Sequence, residues 1–297
     1  MKQTFNSFKY GPPLLALSLV VLISGIVLYD KDFLRNTAMA VSIEPSSLAV
    51  LDPTLYYYDF RVPSVLHETG SIEESRSPYW WLNSGAYLYI DEGVGRTVQG
   101  RLPRFSIWRL DYARSNPVDT ENGFLPQNIF RLLTRGEWQD FNQEAYFKVV
   151  RENFTDSPNR NVSNGLMLMF RYQDSDNLYY IGLRKDGYAV VKKKLNGHYE
   201  TLALERVMVG REDDSTLGLD SIPKNTWIGI RGEIVNNPDG SVTLRAFTDF
   251  GRLGMWRLVL ETVDDGQEFG KPILESGHAG IRTDFMDVEF SEYKILE

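Results

Sequence analysis

The 297-residue chain has no cysteine and only three histidines. The first absence excludes a disulfide framework and thiolate metal sites, so the fold must rest on its core. The second leaves His67, His198 and His278 scattered without the short spacing a zinc site needs. There is no G-x-S-x-G elbow, phosphate loop or dinucleotide fingerprint. Internal repeats, heptads and low-complexity tracts are lacking too. Positive charge is scarce: past Ala40 there are 28 Lys and Arg against 38 Asp and Glu, a net charge of −10. That field argues against a nucleic-acid partner.

Long apolar runs are missing except at the start. "PPLLALSLVVLISGIVLY", Pro12 to Tyr29, carries no charge over 18 residues, and as a helix it would cover roughly 27 Å, one hydrocarbon core. The sequence therefore predicts a short cytoplasmic tail at 1–11, a transmembrane signal-anchor at 12–29 and a linker at 30–54. A domain at 55–297 follows, held outside the cytoplasm at the cell membrane. Ala38-Met39-Ala40 offers a small-residue cleavage site and leaves open whether the anchor is cut.

From Leu55 onward, short aromatic and β-branched runs alternate with turn residues, and little 3.6-residue periodicity competes with them. Asp186-Gly187 and Asn196-Gly197 are hairpin signals of the two-residue type I′ kind, and Asn237-Pro238-Asp239-Gly240 supplies a third turn. Strands are expected at 86–90, 105–112, 145–152, 165–173, 178–184, 188–194, 199–204, 227–235, 241–248, 256–261, 279–284 and 286–295. "NIFRLLTRGEW", residues 128–138, reads as strand or short helix, and 113 to about 128 as a long surface loop. The fold class is all-β, a two-sheet antiparallel sandwich preceded by one transmembrane helix.

Side chains alternate along a strand, so each run divides into two faces. Tyr179, Ile181 and Leu183 oppose Tyr180 and Arg184; Tyr188, Val190, Lys192 and Lys194 oppose Ala189, Val191 and Lys193. By the same count Met167, Met169, Arg171 and Gln173 share a face, Arg231 and Glu233 oppose a row of isoleucines, and Arg245 opposes Val242 and Leu244. The lysine run reads either as a solvated strand end guarding against edge pairing or as a basic wall beside a groove. If the arginine-bearing sides meet on one sheet, they form a surface suited to polyhydroxylated or anionic glycans. Arginine's planar fork matches carboxylate and sulfate, and aromatic rings with polar tips pack on sugars. If they belong to different sheets, they are the wet face every antiparallel sheet needs.

"WQDFNQEAYFKV" (138–149), "NGLMLMFRYQDSDNLYYIGLRKDGYAVVKKKLNG" (164–197), "WIGIRGEIV" (227–235) and the closing "GHAGIRTDFMDVEFSEYKI" (277–295) resemble successive strands of concanavalin A-like lectin/glucanase jelly rolls. The similarity is closest to the laminin-G-like and keto-disaccharide-hydrolase-like branches, and "SPYWWLNSGAYLYIDEG" (77–93) resembles their opening strands. The resemblance covers about residues 55–297 and is one of strands and turns, not of a catalytic signature. It implies a jelly-roll sandwich, often with glycan on the concave sheet and sometimes with a structural Ca²⁺. It implies no activity.

The E-x-D-x-x-E strand of laminarinase-type members is absent; the nearest text is Asp287, Glu289 and Glu292. Asp174 and Asp176 in "YQDSDN" place hard oxygens at alternate positions and are the candidate Ca²⁺ ligands, with Asp287 a further one by family analogy. No other cofactor is expected. The reading that follows is a membrane-anchored, lectin-like domain binding a polysaccharide, anionic ones included, through Arg171, Tyr180, Arg184, Lys192, Arg231 and Arg245. The alternatives are a glycoside hydrolase or polysaccharide lyase, with Glu233 the first carboxylate to suspect, and a structural or adhesive surface domain.

Overall fold

The computed structural model describes residues 54–208 and 222–297. The expected anchor at 12–29 and its linker lie outside them. Among the described residues no helix is long and apolar enough to cross a membrane.

The chain runs β1 (Thr54–Tyr58), β2 (Ser64–His67), β3 (Trp80–Ser84), β4 (Tyr87–Asp91), β5 (Val94–Arg96), α1 (Ile107–Ser115), β6 (Ile129–Trp138), β7 (Phe141–Glu152), β8 (Gly165–Asp174), β9 (Asn177–Arg184), β10 (Tyr188–Leu195), β11 (His198–Arg206), β12 (Trp227–Asn236), β13 (Val242–Phe250), β14 (Arg257–Asp264), β15 (Gly277–Asp284) and β16 (Met286–Leu296). Two antiparallel sheets result. One has nine strands in the order β14-β13-β12-β7-β16-β5-β4-β2 with β1 also on β16; the other has seven, β11-β10-β9-β8-β15-β6-β3. This is the two-layer sandwich expected from the resemblance to the concanavalin A-like jelly rolls. Its core is filled from both inner faces, with Phe147, Ile230, Leu244 and Phe290 from the nine-stranded sheet against Leu168, Phe170, Ile181 and Val191 from the other.

The period-two reading holds where the ladder is regular. Tyr179, Ile181, Ala189 and Val191 point into the core while Leu178, Tyr180 and Val190 point out of it. It fails at β8. Arg171 sits at φ +48°, inside a register shift between Phe170 and Asp174. Such a bulge sets an extra residue against the partner strand and breaks the alternation. Arg171 therefore turns inward behind Phe170, and Gly277 on β15 has to be glycine because a Cβ there would meet Arg171 C at 2.6 Å.

Three other expectations need correcting. Residues 105–112 were expected as strand, but 107–115 form α1; its apolar positions satisfy either period over so short a window. Asp186-Gly187 belongs to a three-residue loop, since Gly187 has φ +83° and Asp186 has no positive φ, and Gly187 N donates to Arg184 O at 3.0 Å. Of these two turns, Asn196-Gly197, at +51° and +84°, has the type I′ signature. The 113–128 stretch is no loose surface loop, because Thr120, Gln127 and Asn128 are buried in it.

Lys193 is wholly buried. Its ammonium donates to Asp264 Oδ2 at 2.7 Å, Gly270 O at 2.8 Å and Lys271 O at 3.1 Å, so all three donors are used. Arg171, equally buried, donates to Gln139 O, Asn236 Oδ1, Ile273 O and Asp140 Oδ1. Two cations from the seven-stranded sheet thus tie the 264–273 segment into the sandwich.

Candidate functional site

The outward face of the seven-stranded sheet bears its own apolar cluster, in which Met167, Met169, Tyr180 and Val190 pack together. Beside this cluster lies a cavity of about 540 Å³, within the range of small-molecule sites. Met167, Tyr180, Lys192, Tyr199, Thr201 and Arg282 line it from the strands; Asp119 and the 159–164 stretch, with Asn159, Asn161, Ser163 and Asn164, supply the other lining.

Register brings these residues together. Lys192 on β10 stands between Tyr180 on β9 and Thr201 on β11, and Arg282 on β15 stands opposite Met167 on β8, which faces Gly182 on β9. Gly182 leaves no side chain on this rung, and an added Cβ would meet Leu166 O at 2.1 Å. Arg282 is held in the lining by several partners. Its Nη1 donates to Tyr180 Oη at 2.8 Å and Tyr199 Oη at 3.0 Å, and its Nε to Asp284 Oδ1 at 2.9 Å. The guanidinium carbon is 5.2 Å from the Tyr180 ring centre, and the Tyr180 and Tyr199 rings stack at 6.1 Å and 25°.

The charges in the cavity differ in character. Burial pushes the Lys192 ammonium below its ordinary value; Asp284 pulls it back up, while Arg282 and Arg184 push it further down. Its Nζ has one acceptor among the described residues, Ser163 O at 3.1 Å, leaving donors for a ligand. The two tyrosines separate: burial raises Tyr180 despite Arg282, whereas at Tyr199 the upward push of burial is outweighed by Arg282 and Lys194, and the net shift is down. At Asp119 burial pushes up, but donors from Ser157, Asn159 and Asn116 outweigh it and hold the carboxyl below its ordinary value. That carboxylate fixes the wall, binding Ser157 Oγ at 2.5 Å and Asn159 Nδ2 at 3.0 Å.

The residues singled out from sequence are distributed as follows. Tyr180 and Lys192 line the cavity. Arg184 ends β9 on the same sheet, is not among the residues that line the cavity, and is bound through two contacts of 3.1 and 2.5 Å to Asp186. Arg171 is inside the sandwich and touches no surface. Arg231, Arg245 and Glu233 belong to the nine-stranded sheet, so the expectation of one shared basic face is overturned. There Arg231 clasps Glu144 at 2.5 and 2.7 Å, with Lys294 3.0 Å from the other oxygen; Arg245 bridges Glu233 at 2.8 Å and Glu261 at 2.5 Å. Glu233 is thus the partner of a cation on the opposite side of the sandwich from the cavity. Asp174 Oδ1 accepts from Asp176 N at 2.7 Å and Asn177 Nδ2 at 3.0 Å, closing its own turn. Asp176 Oδ1 accepts from Lys194 at 3.1 Å. Among the described residues no three His, Asp or Glu converge on a metal position, and these two carboxylates do not make the six- to eight-oxygen cage of Ca²⁺. Asp287 is taken up by Gln127, Asn153, Gly100 N and Arg151.

Sequence reasoning missed Tyr199, Thr201, Arg282 and the asparagine wall as site residues. Two-residue spacing puts Arg282 and Asp284 on one side of β15, but only strand order shows β15 two places from β9.

No family profile and no curated protein matches the chain by sequence. Solved structures do resemble it in shape. A Bacillus subtilis protein of unknown function with a galectin-like fold is 13% identical, covering 82% of this chain and 96% of that one, with a TM-score of 0.45. A Bacillus licheniformis β-glucanase is 10% identical over 82% of this chain and 97% of its own, TM-score 0.44. The carbohydrate-binding module CBM66 from Bacillus subtilis is 15% identical over 57% and 83%, TM-score 0.41. At these scores the assignment of architecture rests on the strand order itself.

Proposed function

We propose that this domain binds a polysaccharide bearing carboxylate or sulfate groups in the cavity on the outward face of its seven-stranded sheet, and that the 12–29 segment tethers it to the membrane from which it projects. The observation that carries this reading is the convergence of Lys192 and Arg282 with the stacked pair Tyr180 and Tyr199. A desolvated ammonium with spare donors answers an anion, the tyrosines offer ring faces and hydroxyls, and the amide-rich wall offers the mixed donors and acceptors that sugar hydroxyls need. The paired ions of the nine-stranded sheet offer no such vacancy.

The test is retention of uronate, sulfated and neutral polysaccharides on an array by the detergent-solubilised chain and by Lys192→Ala. Retention of the charged glycans, weakened at least ten-fold in the variant, supports the reading. Equal retention of neutral and charged glycans, or indifference to Lys192→Ala, overturns it.

A second reading has one observation in its favour. The lowered Tyr199 hydroxyl beside Arg282 is a base next to a carboxylate neutraliser, the pairing a polysaccharide lyase uses. A double bond appearing in the product, read as ultraviolet absorbance in the same wells, would establish it. Among the described residues the two carboxylates that line the cavity are not free for hydrolysis, since Asp284 is held by Arg282 and Asp119 by three donors.

A further inference from the structure

Helix α1 and the turn before it form a surface of another kind. Its inner side is pinned: Trp108 stacks on His67 at 6.0 Å and 15°, and the Tyr112 hydroxyl accepts from Gly85 N at 2.7 Å and donates to Glu68 Oε2 at 2.5 Å. Its outer side carries large apolar residues in the open. Phe105 is 84% exposed, Ile107 70% and Leu110 39%. Ile107 and Leu110 are one helical turn apart and Arg114 follows at the next, so they share a stripe, on which the exposed Asp111 also lies.

Around this tip, residues 101–115 hold four arginines, Arg101, Arg104, Arg109 and Arg114, against one aspartate, Asp111. Arg101 is paired with Glu121 at 2.6 Å. Arg104 and Arg109 lie over the Phe105 and Phe124 rings at 5.7 and 4.6 Å, and neither they nor Arg114 have a carboxylate partner among the described residues. On the nine-stranded sheet, Arg96, Lys148, Arg231, Arg245 and Lys294 each have one. Unpaired arginines ringing exposed Phe and Ile, on a folded chain whose net charge is strongly negative, are complementary to a surface with negative headgroups over an apolar layer. Arginine stems and phenyl rings settle at that boundary while guanidinium groups meet phosphate.

We infer that the Phe105–Ile107–Leu110 tip with Arg104 and Arg114 is a docking surface for an anionic lipid bilayer. Docking would fix the orientation of the domain over the membrane independently of what fills the glycan cavity.

The absence of cysteine makes the test direct. Ser115→Cys or, as a distant exposed control, Glu268→Cys is labelled with a polarity-sensitive fluorophore in the full chain reconstituted into vesicles of phosphatidylcholine alone or with phosphatidylglycerol. The expected result is a blue shift at position 115 only with the anionic lipid, reduced by salt, and absent at 268. Each arginine near an anionic surface strengthens association roughly five-fold, so Arg104→Ser with Arg114→Ser should lower the docked-to-free ratio about 30-fold. Phe105→Ser should remove the shift while thermal melting stays unchanged. Equal signals in both lipids or unaltered docking in the arginine variant would overturn the inference. So would a shift that rises with protein concentration without vesicles, which would make the tip a contact between copies of the chain.

Discussion

Lys192, Lys193 and Lys194 are chemically identical neighbours, and the structure assigns them different consequences. Lys193→Ala is the decisive perturbation. It leaves the Asp264 carboxylate buried, its side chain 1% exposed, with only the Tyr179 hydroxyl at 2.6 Å and Gly266 N at 3.3 Å as donors. It also strands the carbonyls of Gly270 and Lys271. Removing one partner of a buried, hydrogen-bonded ion pair costs about 3–5 kcal/mol. A domain of this size loses roughly 2–4 °C of Tm per kcal/mol, so the melting temperature should fall by about 6–20 °C. Lys194→Ala removes a pair with an Asp176 side chain that is 56% exposed, worth about 0–1 kcal/mol. Lys192→Ala removes a charge that burial already disfavours, and should change stability by less than about 1 kcal/mol while weakening glycan retention.

Urea unfolding of the three variants, followed by tryptophan fluorescence, measures the differences directly. The double variant Lys193→Met/Asp264→Leu should recover most of the loss, because replacing both ions with apolar groups removes the desolvation burden with the attraction. If Lys193→Ala costs less than about 1 kcal/mol, the reasoning that makes this lysine an internal tie is wrong.

Four further outcomes are expected. Anion binding needs Lys192 charged, and its pKa is lowered, so affinity should fall as pH rises through a range below the ordinary lysine value of about 10.4; Lys192→Arg should flatten the profile, as titration calorimetry at several pH values would show. The same lowering means that the unfolded chain holds the proton longer than the native one. Unliganded stability contributed by this group should therefore rise with pH between the native and unfolded pKa values, and Lys192→Met should abolish that rise in urea melts. Tyr199→Phe keeps the ring on Tyr180 but deletes the hydroxyl that accepts from Arg282, and should weaken binding about ten-fold or more, since hydrogen bonds to charged groups contribute about 1.5–3 kcal/mol. Arg245→Ala, on the far sheet, should leave glycan retention unchanged, and a loss of retention would show that the cavity is not the binding site.

Much of the sandwich was legible because its signals are local. Asn196-Gly197 fixes a hairpin by backbone conformation alone, and alternation along β9 and β10 assigns faces without knowledge of the partner strands. Lys193 marks the limit: alternation grouped it with Ala189 and Val191, yet both readings of the lysine run, a solvated strand end or a basic wall, fail for it, because nothing local shows that a carboxylate and two carbonyls from 264–271 wait inside the sandwich. Arg171 shows the other limit. The alternation that put it outward with Met167 and Met169 assumes one residue per pleat, and one left-handed residue in the bulge reverses the answer.

The candidate site was less legible for a related reason. Every sheet surface has a polar side, so an arginine on each strand's wet side is compatible with one groove or with two opposite faces. Strand order decides between them, and strand order is a property of long-range pairing. β12 and β13 join β7 and β16, whereas β9 and β10 join β8 and β15. That division sends Arg231 and Arg245 into a ladder of ion pairs and leaves Tyr180 and Lys192 to meet Arg282, about a hundred residues away in sequence. That Lys192 has no ion pair among the described residues is thus a consequence of topology: the carboxylate near it, Asp284, is already held by Arg282, and its other neighbours are arginines and tyrosines.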